Sequence, residues 1–266
     1  TVGEALAQAP VDAISITGST RAGKRVAEIA SQNLHKFILE LGGSDPFVVL
    51  KDADVDKAAE IGVASRFLNN GQSCIAAKRF IVAEEVLEEF TKKFQEHVEK
   101  QIVGDPLDPK TTIGPLVRGN SREVITKQIS ESTSAGAKIL TGGNAPNGTG
   151  FFFNPTILTH VQPEMSVSRE EVFGPVAPII SVKNPIQAIK IANDTEFGLG
   201  SSIWSEKYAI ENNLAKDIDA GMVYINSMVI SDPRVPFGGV KNSGIGRELS
   251  DYGIKEFVNV KSVIIN

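Results

Sequence analysis

Short apolar runs alternate with amphipathic stretches along the whole of this 266-residue chain, and that alternation limits the fold more than any other feature. The runs at 13–17, 37–39, 46–50, 79–82, 176–182, 200–204 and 222–226 are rich in apolar or β-branched residues and read as strands. The stretches at 21–33, 55–68, 86–101, 121–135, 185–193 and 207–218 read as helices. In 86–101, Val86, Phe90, Phe94 and Val98 recur on one face, while Glu and Lys fill the other as a solvated surface. Strands interleaved with helices predict an α/β sheet protein. No repeat or low-complexity tract interrupts the pattern. Gly142-Gly143-Asn144 and Asn147-Gly148-Thr149-Gly150 read as surface loops; neither is followed by the Lys-Ser/Thr of a phosphate loop. The tail, 257–265, is apolar and strand-like, an edge that needs covering.

Charge and composition narrow the partners. A net charge of −5 and a pI near 5.4 argue against a nucleic-acid or anionic-membrane partner. No apolar run reaches the roughly 20 residues of a membrane span, and the N-terminus lacks a basic-then-apolar signal pattern. With a single thiol, the chain suits a reducing cytoplasm. His35, His97 and His160 lie far apart and show no metal-ligand spacing with the cysteine, so no metal site is expected.

That cysteine is Cys74, in Asn69-Asn70-Gly71-Gln72-Ser73-Cys74. One thiol excludes an internal disulfide or a multi-cysteine cluster, leaving two readings, a packed core residue or a nucleophile. The polar, turn-forming approach favours the nucleophile. Glu40, just before Gly42-Gly43, supplies a carboxylate that suits a general base. A cysteine hydrolase using one of the histidines is the rival chemistry.

Five segments carry a family resemblance: Thr17-Gly18-Ser19-Thr20, Glu40-Leu41-Gly42-Gly43, Gly71-Gln72-Ser73-Cys74, Glu171-Val172-Phe173-Gly174-Pro175, and Pro236-Phe237-Gly238-Gly239-Val240-Lys241-Asn242-Ser243-Gly244. In order and spacing they are similar to the motif series of the aldehyde dehydrogenase superfamily. Ala-Ala-Lys-Arg-Phe at Ala76 to Phe80 resembles the bacterial succinate-semialdehyde dehydrogenase branch. The resemblance implies an NAD- or NADP-dependent enzyme that oxidises an aldehyde through a Cys74 thiohemiacetal and thioester, with Glu40 as base. Glu248, which also reads as a charge beside a helix N-terminus, is then the relay for the base's proton.

Cofactor contacts are implied at Gly18, Ser19 and Gly23, which by themselves read as a capped helix start, and at Leu41, Glu171 and Phe173. Substrate contacts are implied at Leu68, Ser231, Arg234 and Phe237. Many succinate-semialdehyde dehydrogenases carry an arginine where this chain has Leu68, which suits an uncharged aliphatic aldehyde instead. Arg234, otherwise a solvent-exposed loop residue, is the remaining candidate to hold a substrate carboxylate.

The resemblance also divides the chain: 1–42 as the end of a Rossmann-like NAD(P)-binding domain, 43–243 as a catalytic domain with a parallel-rich sheet, and 244–266 as a return segment and oligomerisation strand. The tail strand pairs with another subunit in the family, so a homo-oligomer, dimer or tetramer, is expected. The family's chains are nearly twice as long. The asparagine of their oxyanion hole and the residues gripping the adenosine ribose fall before Thr1, so this chain alone is expected to bind cofactor weakly and be inactive. A non-catalytic, oligomerising role is the alternative.

Overall fold

Two sheets organise the computed structural model, which describes residues 2–266. The strands are β1 (Ala13–Thr17), β2 (Lys36–Glu40), β3 (Asp45–Val49), β4 (Ala77–Ala83), β5 (Lys138–Thr141), β6 (Thr156–Thr159), β7 (Val176–Val182), β8 (Gly200–Trp204), β9 (Met222–Ile225) and β10 (Gly244–Ile245). The smaller sheet runs β1-β2-β10, with β1 parallel and β10 antiparallel to β2. The larger runs β5-β6-β7-β4-β3-β8-β9 and is parallel except where β5 meets β6. The chain passes from one sheet to the other through residues 41–44, immediately after Glu40.

Helices cover both faces of the larger sheet, which is why its central strands read as unbroken apolar runs. Side chains alternate between two cores. Phe47, Val49, Phe80 and Val82 meet the helices Val55–Phe67 and Leu87–Val98; Val48, Ile81, Ile180 and Ile203 share the opposite core with Ile125, Ile129 and Ala188. Phe80 lies 4.8 Å from Phe94 and 5.1 Å from Phe47, ring centre to ring centre. Gly62 lets this cluster close, since a Cβ there would stand 3.1 Å from Phe80. Phe94→Ala is therefore expected to cost about 3–5 kcal/mol of stability, read by denaturant unfolding. A loss under about 1 kcal/mol would mean the site collapses onto the gap.

Two helix expectations need correction. The stretch 207–218 is not one helix: Tyr208–Glu211 and a 3-10 turn, Leu214–Asp217, are separated by Asn213 at φ 50°. Asparagine tolerates that left-handed backbone, and a helix does not continue through it. The helix expected from 86 starts as a 3-10 turn, Glu84–Val86, before Leu87. The tail 257–266 forms no ladder within this chain, although Lys36 Nζ donates to Val258 O at 2.5 Å. Val260, Ile264 and Ile265 are almost wholly exposed. β5 and β6, the strands on either side of the predicted glycine loops, are additions, as are the helices Val2–Ala7 and Ser250–Glu256.

Candidate active site

The turn that carries Cys74 is built from residues able to reverse the chain. Asn69, Asn70 and Gly71 all have positive φ, 51°, 58° and 72°, a run suited to asparagine and glycine. Gly71 also has no room for a side chain, since a Cβ would sit 2.3 Å from Gly174 O. Asn70 ties the turn to its neighbour, accepting from Gly114 N and donating to Pro115 O. Beneath it, the buried Arg66 guanidinium donates to Gly71 O, Ala77 O, Val172 O and Gly174 O. One cation thus joins the cysteine turn to the Glu171–Gly174 segment.

Cys74 emerges half-buried at the floor of a cleft of about 620 Å³. Gly18, Ser19, Leu41, Gly42, Glu171 and Phe173 line the same cleft. Ser19 caps the helix Thr20–Gln32, its Oγ accepting from Ala22 N at 3.3 Å. Gly23 works indirectly: a Cβ there would lie 2.4 Å from Leu41 Cδ2, so glycine brings the helix start against the cleft wall. Glu171 Oε1 accepts from Gly43 N at 3.0 Å and stands 3.7 Å from Lys78 Nζ. Burial pushes the Cys74 thiol above its ordinary value; Lys78 and the Ile75 N–H draw it down, while Asp45 and Glu171 push it up.

Glu40 precedes the cleft residues Leu41 and Gly42 but is not in the wall itself. Its carboxyl is buried, neither oxygen has a hydrogen-bond partner, and a Cβ on Gly238 would come within 2.7 Å of Oε1. Burial first, then the nearby Glu248 charge, raises it to about 8, with Arg247 opposing. Glu248 is fixed by paired backbone bonds with Phe237, at 2.7 and 2.8 Å. Glu248 thus lies near enough for its charge to act on the Glu40 carboxyl, which itself abuts Gly238.

The other expected substrate residues are scattered. Phe237 packs in the small cluster that includes Cys74. Leu68, Ser231 and Arg234 are exposed and outside the cleft wall, and Arg234 Nε and Nη2 donate to Asp232, at 2.9 and 2.6 Å for the closest pairs. None of the three histidines lines the cleft. Sequence reading missed the buried Lys78, Asp45 and Arg66 near the cysteine turn, the buried Arg79, which donates to the Ser44, Ile191 and Ala192 carbonyls, and Arg118 on the cleft wall. The available signal was Lys78-Arg79 inside the fully buried strand β4, where a charge needs partners. No helix among the described residues is long and apolar enough to cross a membrane, and none of their acidic, histidine or cysteine side chains cluster to hold a metal.

One cleft thus brings the sole cysteine together with the start of the helix Thr20–Gln32, Glu171 and Phe173. The chain belongs to the aldehyde dehydrogenase family, whose sequence profile matches residues 1–263. It is 47% identical over 253 residues to a succinate-semialdehyde dehydrogenase [NADP(+)] 1 of Mycobacterium ulcerans, covering 95% of this chain and 55% of that protein. With the succinate-semialdehyde dehydrogenase [NADP(+)] of Mycobacterium leprae it shares 46% identity over 263 residues, covering 98% and 58%. The crystal structure of an Escherichia coli NADP-dependent enzyme superposes with a TM-score of 0.95 at 41% identity, covering 98% of this chain and 54% of the other. The chain therefore spans a little over half the length of the relatives it matches.

Proposed function

We propose that this chain carries the thiol half of an NADP-dependent aldehyde dehydrogenase acting on succinate semialdehyde. The observation that carries this reading is the single cleft shared by Cys74, the Gly18-Ser19 helix start, Glu171 and Phe173. The residues present fit a nicotinamide nucleotide: exposed N–H groups at a helix start suit a phosphate, Glu171 suits ribose hydroxyls, and Phe173 gives a ring an apolar face. Gly42 leaves Glu171 the space it occupies, since a Cβ would lie 2.4 Å from Oε2. The names of the relatives favour NADP and succinate semialdehyde.

An aldehyde carbon yields hydride readily only after becoming tetrahedral. Cys74 achieves this by adding its sulfur to the carbonyl, and the Cys74 backbone N–H is this chain's own donor to the resulting oxyanion. When bound, an oxidised nicotinamide supplies the hydride acceptor that turns a thiohemiacetal into a thioester. Glu40 then activates the water that releases the acid, and Glu248 takes the proton onward. The division at 42/43 and the return at 244 follow the two sheets. The exposed apolar tail is assigned to contact with a second copy of the chain, in a homo-oligomer. Appearance of reduced nicotinamide on mixing the intact protein with succinate semialdehyde and NADP tests the reading; no turnover with either NADP or NAD would overturn it.

Arg234 enters differently from its sequence expectation. Asp232 already holds its guanidinium by two donors, so an added substrate carboxylate would have to displace that partner. Arg234→Ala is expected to change KM for succinate semialdehyde and for a neutral aldehyde of similar length by the same factor. A rise confined to the charged substrate, on the scale of about 1.5–3 kcal/mol, would restore Arg234 as its anchor.

A further inference from the structure

Lys78 is the second residue of β4, a strand whose seven residues are all buried, and its side chain is 0% exposed. Its Nζ has four acceptors close by: Cys74 O at 2.7 Å, Ser73 O at 2.9 Å, Ala76 O at 3.5 Å and Glu171 Oε1 at 3.7 Å. An ammonium has three donors and no acceptor, so this surrounding fits the charged form; a neutral amine would turn its lone pair on oxygen. Burying that charge is costly unless it is paired, and Glu171 is the exposed-side partner. Among the charged groups acting most on the Cys74 thiol, Lys78 is a cation and Asp45 and Glu171 are anions, while Arg66, another cation, bears on Lys78 from the helix Val55–Phe67.

Resting on the dehydrogenase reading above, we propose that Lys78 is a positioning residue for the nucleophile. Its ammonium clamps the Ser73 and Cys74 carbonyls, which fixes the thiol at the cleft floor, and its charge favours the thiolate against the two neighbouring anions. Glu171, which the same reading places on the cofactor ribose, shares that ammonium. The acidity of the nucleophile is therefore tied to the charge on the cofactor wall.

The test is the pH midpoint of Cys74 alkylation by iodoacetamide, followed at the Cys74 peptide by mass spectrometry, on intact protein without aldehyde or cofactor. Lys78→Gln keeps a donor for the carbonyls and removes the charge. It is expected to raise the midpoint by about one pH unit, slowing alkylation below the midpoint about tenfold. Glu171→Gln, on a partly exposed residue, is expected to lower the midpoint by releasing Lys78 and removing an anion. A folded Lys78→Gln with an unchanged midpoint overturns the proposal. Should Lys78→Gln fail to fold, an unchanged or raised midpoint in Glu171→Gln overturns it instead. Alkylation requires no dehydrogenase turnover, so a missing shift counts against Lys78 alone, whereas an active Cys74→Ala counts against the reaction.

Discussion

Cys74→Ala is expected to lower aldehyde oxidation by at least about 10³-fold in the intact protein, while the thermal midpoint and cofactor affinity stay near wild type. The separation follows from how the turn is held. Arg66 and Lys78 bind the backbone carbonyls of Gly71, Ser73 and Cys74, and Asn70 anchors the turn from its own side chain. Truncating a half-buried thiol leaves those contacts intact. The loss is therefore chemical, the removal of the atom that makes the carbonyl carbon tetrahedral. Turnover above about one per cent of wild type would place the reaction on another group.

Glu40→Gln is expected to slow turnover about 10²–10⁴-fold, the usual range for losing a general base. The pH profile gives the sharper signature. With its carboxyl raised to about 8, Glu40 is mostly protonated at neutral pH and becomes a base as pH rises. The wild-type rate should accordingly climb through about pH 8 and level off above it, and the glutamine variant should lack that limb. Burial is the main cause of the shift, so Gly238→Ala, which crowds the Oε1 position, should move the limb as well. A glutamine variant with an unchanged profile assigns the base elsewhere.

Most strands of the two sheets were legible because parallel strands covered on two faces are continuous apolar runs, as at 46–50 and 176–182, whereas the short strands β5, β6 and β10 were not. The cleft was legible only in part. Cys74, Glu171 and Phe173 stand out within short motifs, and the fold brings them to one cavity. Lys78, Arg66 and Asp45 did not stand out, because a charge within an apolar strand or helix shows no partner until strands from distant sequence converge. Asp45, for instance, is raised to about 6 by its burial, and Lys78 and the Gly200 N–H answer it from other strands. Arg234 was legible as a residue just before a motif, but its ion pair with Asp232, two residues away, was not. The helix expected over 207–218 fails at one residue, Asn213, whose left-handed backbone no periodicity reveals.

The central claim is that substrate becomes covalently attached to Cys74. Intact Glu40→Gln protein, mixed with succinate semialdehyde and NADP and quenched in acid, should carry one acyl group on the Cys74 peptide by mass spectrometry, because acylation outpaces the slowed release. An unmodified Cys74 peptide during continuing turnover, or the acyl mass on a different residue, would contradict the account.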